Sequence, residues 1–224
     1  MITKLFISSE REGQRNMEQP DFQEVVSSPT AAFDEGLRFF AGKGMLNTTL
    51  ERIARTLENH GIDYVVIGAV ALNQHGYRRF TEDIDLLLTK EGLTRFHEEL
   101  VGLGYRPAFE GSRKQFRAAE GNVRVEIVTT GEYPGDGLPK PVRFPDPALV
   151  AIEIDGIKTI TLERLIELKL ASGLSAPHRL KDLADVQELI KVKKLGPEFA
   201  SALDPSVRNK FLELQRAVSE APGD

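Results

Sequence analysis

The chain has 224 residues, no cysteine, four histidines and a formal net charge of −5. That length allows one large domain or two small ones. The lack of cysteine excludes a disulfide framework and a thiolate metal site. The negative balance argues against a generic nucleic-acid binder, although it leaves room for a local basic patch. His60, His75, His97 and His178 show no metal-ligand spacing. No apolar run approaches the ~20 residues of a membrane span, and the N-terminus turns polar too early for a signal core. The expectation is a soluble, cytoplasmic protein with no membrane partner.

Residues 1–30 are polar and patternless and predict a flexible or loosely docked arm. Phe33, Leu37 and Phe40 recur at helical spacing. Over 48–61, Thr48 and Glu51 form a capping box, Leu50, Ile53, Ala54 and Leu57 make an apolar face, and Gly61 ends the helix. A buried strand follows at 63–68, then a short helix 69–75, a second strand 83–89, and a helix marked by Leu93, Phe96, Leu100 and Leu103. The stretch 114–130 predicts a hairpin turning near Gly121. Five prolines within 131–148 predict a long surface loop. Asp155-Gly156 between two apolar runs is a second hairpin signal. From Thr161 onward the pattern is helical. The plan is α+β, with an arm over 1–30, an α+β domain over 31–160 and a helical region over 161–224.

The strand 83–89 contains two acids, Asp83 and Asp85, that alternation places on one face, their α-carbons roughly 6.6 Å apart at about 3.3 Å per residue. Burying carboxylates in a strand is expensive unless something cationic pairs with them. Two carboxylates so spaced can converge on divalent cations, and magnesium, with its preference for oxygen ligands and phosphate substrates, suits them. A solvated edge strand is the bland alternative, and Leu86-Leu87-Leu88 speaks against it. Glu126, an acid in an apolar-rich strand, can complete the cage if its strand lies beside 83–89; otherwise it pairs with a neighbour such as Arg124. Gly68, at a strand end opening a helix, lets backbone N–H groups face an anion.

The stretch IGAVALNQHGYRRFTEDIDLLL resembles the nucleotidyltransferase (DNA polymerase β-like) superfamily: an apolar residue and glycine, a spacer, then aspartate–apolar–aspartate–apolar. It is most similar to the AbiEii-like and MenT-like toxin branch, in which an arginine–x–threonine precedes the aspartates, here Arg79-Phe80-Thr81. The match continues in LIELKLASGLSAPHRLKDLADVQELI, which supplies Lys169, Arg179, Lys181, Asp182 and Asp185. The resemblance implies a nucleotidyltransferase fold, a small mixed sheet flanked by helices and then a helical C-terminal half. It also implies metal-dependent transfer of a nucleoside monophosphate from an NTP, with release of pyrophosphate; the sequence leaves open whether the acceptor is RNA, tRNA included, a protein hydroxyl or an antibiotic, and whether a cognate antitoxin is the partner.

On that resemblance Asp83, Asp85 and Glu126 hold Mg2+ or Mn2+. Gly68, Ala69, Arg79, Thr81, Lys169 and Arg179 contact the nucleotide, and Asp182 and Asp185 join Asp83, Asp85 and Lys169 as catalytic residues. Two departures stand out. Position 69 is alanine, which removes a hydroxyl contact but keeps the N–H, and the third acid is glutamate. They keep open a degenerate, nucleotide-binding reading, beside transfer to a small molecule such as an antibiotic. Lys169 is odd on pattern alone, because it occupies an apolar i, i+3, i+4, i+7 face with Leu162, Leu165 and Ile166. It can snorkel to water. Lys181 and Asp185 can equally form a surface i, i+4 pair, and Arg78 and Arg79 can be surface charge.

Overall fold

The computed structural model describes residues 20–220. The described residues begin with three helices: α1 (Phe22–Ser27), α2 (Pro29–Phe40) and α3 (Met45–Asn59). Then come β1 (Tyr64–Val66), α4 (Gly68–Gln74), β2 (Asp83–Leu88), α5 (Lys90–Glu99), β3 (Tyr105–Pro107), β4 (Gln115–Ala118) and β5 (Arg124–Thr129). After the proline-rich loop follow α6 (Pro147–Val150), the hairpin β6 (Ala151–Ile154) and β7 (Ile157–Ile160), then α7 (Leu162–Ser175), α8 (Leu180–Lys193) and α9 (Pro205–Glu220). The fold is α+β, with a helical C-terminal region.

The seven strands make one mixed sheet in the order β3-β4-β5-β2-β1-β7-β6. β2 lies at its centre, antiparallel to β1 and parallel to β5. Strand alternation then sorts the side chains. Ile84, Leu86, Val125 and Ile127 enter a core on one face with Leu46, Ile53 and Phe96 from α3 and α5. Val65 and Leu87 enter a second core on the other face with Leu165, Ile166, Val186 and Phe211 from α7, α8 and α9. Asp83, Asp85 and Glu126 share the parity of Leu87, so they face the side that the C-terminal helices cover.

Several local expectations shift. Residues 1–19 of the expected arm lie outside the described residues, but residues 22–27 form α1, anchored by Phe22, whose side chain is fully buried. The expected stripe on α2 faces out: Phe33 is 67% and Leu37 57% exposed. Phe39 packs edge-on against Phe80 instead, and Glu35 turns inward to accept the Met45 N–H at 2.6 Å. That contact also moves the start of α3. The cap is Gly44, whose N–H is accepted by Asn47 at 3.1 Å, and Thr48 and Glu51 form no capping box. Both hairpins turn where glycine requires it, at Gly121 and at Asp155-Gly156, the latter pair with φ of 50° and 76°.

Candidate active site

β2 carries Asp85 just before its apolar run Leu86–Leu88, and β5 brings Glu126 directly opposite in register. Asp83, two residues back, accepts the Thr81 hydroxyl at 2.7 Å, which fixes its rotamer. Above Asp85 the chain turns through Gly68, whose φ is +63°. A β-carbon there would lie 1.8 Å from the Asp85 Oδ2. Only glycine lets the carboxylate lie against the start of α4. Burial pushes the Asp85 carboxyl up to about 7, Asp83 and Glu126 add repulsion, and Lys169 and Arg79 offset part of it. No ion pair reaches Asp83, Asp85 or Glu126 among the described residues.

The opposite wall is cationic. Lys169, 8% exposed on α7, donates to Asp185 at 2.7 Å and to Asp182 at 3.1 Å on α8. It does not snorkel to water. The same Asp185 oxygen accepts Arg79 Nη1 at 2.6 Å, so one buried carboxylate bridges the loop before β2 to α7 and α8. Asp185 therefore does not pair with Lys181. Burial works against the Asp182 carboxylate, but Lys169, the Ser172 hydroxyl and Arg179 outweigh it and hold it below the ordinary range. Arg179 Nε donates to Ser172 Oγ at 3.0 Å and lies 3.1 Å from Asp182.

Between these walls lies a cleft of ≈ 610 Å³. Gly68, Ala69, Arg79, Thr81, Asp83, Asp85, Glu126, Lys169, Arg179 and Asp182 all line it. Asp185 lies behind, buried, and reaches the cleft only through Lys169 and Arg79. Arg78 goes elsewhere: its guanidinium stacks 5.0 Å over the Phe40 ring and donates to the Phe40 carbonyl at 3.2 Å.

Three further features escape sequence reasoning. Asn73 accepts the Arg79 N–H and donates to its carbonyl, so it holds that loop in place. Ser172 lies one turn beyond Lys169, and extending the lysine's helical stripe by three residues would have found it. Tyr133 and Phe144, from the proline-rich loop, supply an aromatic edge to the cleft that no periodicity announces.

The donor set tests well in kind for a hard divalent cation: three carboxylates crowd one wall, and their repulsion is what a cation relieves. In position it is not a closed cage, for among the described residues no three acid or histidine side chains already converge as ligands.

A mixed sheet carrying paired strand acids against a basic helical wall is the architecture of nucleotidyltransferases. A family model described as an uncharacterised nucleotidyltransferase matches residues 15–219, and the chain belongs to that family. No curated protein matches. Among solved structures, an antigenic nucleotidyltransferase-like protein from Paracoccidioides brasiliensis is similar at 16% identity, over 78% of this chain and 92% of that one, with a TM-score of 0.47. ANT(2'')-Ia in complex with adenylyl-2''-tobramycin is similar at 18% identity, over 77% and 95%, with a TM-score of 0.49. Among the described residues no helix is long and apolar enough to cross a membrane.

Proposed function

We propose that the protein is a cytoplasmic, divalent-metal-dependent nucleotidyltransferase that moves a nucleoside monophosphate from an NTP to a hydroxyl acceptor on RNA or protein. The bond from acceptor oxygen to the α-phosphorus forms as the α–β bridging bond breaks; pyrophosphate leaves, and the acceptor hydroxyl's proton passes to solvent. The observation that carries this reading is the register of Asp85 against Glu126, with Asp83 on the same face and Gly68 pressed onto Asp85.

Asp83, Asp85 and Glu126 would hold Mg2+ or Mn2+, which would neutralise phosphate charge and help to align the reacting oxygens. Lys169 and Arg79 face the carboxylates across the cleft, where they attract the triphosphate. Asp182 and Asp185 hold those cations and so act as positioning residues. The family's own chemistry is mostly positioning and electrostatics, which suits a site made of fixed charges. The AbiEii-like and MenT-like motifs support the further reading of a toxin with a cognate antitoxin. Arg179, Lys181 and His178 at the mouth offer phosphate contacts if the acceptor is RNA.

A second reading, a nucleotide-binding protein without turnover, draws on Lys169, which two carboxylates already neutralise, and on Ala69. Incubating the protein with Mg2+, each α-labelled NTP, total RNA and cell lysate separates them. Label transferred to RNA or protein by wild type and not by Asp83→Asn supports the enzyme. Labelled NTP bound without transfer to RNA or protein, and without transfer to an aminoglycoside supplied in a parallel incubation, supports the binding module.

A further inference from the structure

The proline-rich loop is far more organised than its composition suggests. Its ends are laced together: Gly131 N–H donates to the Phe144 carbonyl and Phe144 N–H to the Glu132 carbonyl, both at 2.8 Å. Inside, the Lys140 ammonium is a hub, donating to the carbonyls of Pro134 and Leu138 at 2.8 Å each and pairing with Asp136. That ammonium also lies 5.8 Å from the centre of the Tyr133 ring. The loop docks on α7, where the Asp136 N–H donates to Ser175 Oγ at 3.2 Å. Gly135, with φ +79°, passes so close that a β-carbon there would lie 2.9 Å from the Ser172 carbonyl oxygen. A compact loop with joined ends and its own internal packing is a rigid device for presenting side chains.

What it presents is Tyr133. The ring is half-buried at the cleft edge, and its hydroxyl has no hydrogen-bond partner among the described residues. Both walls of the cleft carry charge, and Val128, Phe144, Leu165 and Leu168 supply apolar lining to the same cleft as Tyr133. A nucleotide whose phosphates lie between the carboxylates and Lys169 has one apolar, planar part left to place, the base. An aromatic ring backed by a cation is a natural surface for it, because base–aromatic stacking needs no particular hydrogen-bond pattern.

We propose that Tyr133 is the stacking platform for the nucleobase of the incoming NTP, held in place by the Lys140-centred loop; this rests on the nucleotidyltransferase reading of the same cleft. Stacking alone accepts every base, so the loop confers affinity for nucleosides over bare polyphosphate rather than a choice among bases.

The test measures binding of ATP, GTP, CTP and UTP, and separately of inorganic tripolyphosphate, to the full chain with Mg2+ by calorimetry. Tyr133→Ala is expected to weaken binding of those NTPs that bind wild type about tenfold, the size of one lost stacking contact, and to leave tripolyphosphate affinity unchanged. Tyr133→Phe is expected to stay within about twofold of wild type. Unchanged NTP affinity in Tyr133→Ala overturns the inference, and so does an equal loss for tripolyphosphate, which would mark a structural effect. Failure of wild type to bind any NTP sinks the underlying nucleotidyltransferase reading, and the inference with it.

Discussion

The α-carbon of Gly68 and the carboxylate of Asp85 are in such close apposition that one methyl group cannot be inserted between them. The same glycine adopts a left-handed backbone, so side chains are penalised twice. Gly68→Ala should cost at least about 2 kcal/mol of stability from backbone strain and displacement together. It should also abolish NTP binding, because relief of the clash requires Asp85 to move. Chemical denaturation and calorimetry check both; a stable variant that binds NTP normally would show that the close approach is incidental.

Asp85 should make the metal-free protein's stability depend on pH. Its carboxyl rises from the ordinary 3.8 to about 7 on folding. The folded state therefore binds more protons than the unfolded chain between those values, and the Asp85 contribution destabilises as pH rises through that window. Asp85→Asn removes it. The variant should be more stable than wild type by about 2 kcal/mol at pH 8, and the gap should close by about pH 4. Urea melts across that range in EDTA provide the measurement. A pH-independent gap would refute the assignment, and Mg2+ should narrow the gap at pH 8 by stabilising wild type alone.

Lys169→Met should destabilise, not merely inactivate. On the sequence pattern, methionine suits an apolar helix face. In the folded chain, however, Lys169 neutralises Asp182 and Asp185. Breaking a buried pair costs about 3–5 kcal/mol, and here Arg79 and Arg179 retain part of the compensation, so about 2 kcal/mol is expected. Lys169→Met/Asp182→Asn should recover much of the stability and none of the nucleotide transfer. A stable single variant with normal transfer would remove Lys169 from the site.

The two neighbouring arginines should separate cleanly. Arg79→Ala strips Asp185 of one cation and should abolish nucleotide transfer. Arg78→Ala removes only the contact with Phe40 and should leave transfer within about twofold, with a stability loss of about 0.5–1 kcal/mol. Equal loss in both variants would point to a shared acceptor contact.

How much of this was legible beforehand differs by element. Asp83 and Asp85 could be read as a pair, because strand alternation fixes which side chains share a face; Glu126 joins them only through the parallel pairing of β5 with β2, which the hairpin at Gly121 does not dictate. Lys169 was visible as a charge on an apolar stripe. Its partners were not: Asp185 sits at a spacing that fits a Lys181 pair equally well, and only the packing of α7 on α8 decides between them. Arg78 and Arg79 are adjacent in sequence, yet Asn73 turns one inward and Phe40 captures the other, a choice that no local pattern encodes. The α2 stripe misled because Glu35 and Phe39, not Phe33 and Leu37, face inward, Glu35 to accept the Met45 N–H at the start of α3. The proline-rich loop read as featureless because its order comes from Lys140 bonding to carbonyls, which leaves no trace in hydrophobic periodicity.

Because α7 and α8, which cover one face of the sheet, follow every strand in the chain, synthesis makes the two walls of the cleft at different times. A ribosome that has released residues up to 160 has produced the carboxylate wall, Gly68 and Arg79. Lys169, Arg179 and Lys181 follow in the last third of translation. The nascent chain thus carries an unneutralised acidic patch and lacks most of its phosphate-attracting charge until its C-terminal helices emerge and dock. Assembly of the cleft is a late event in the life of each molecule.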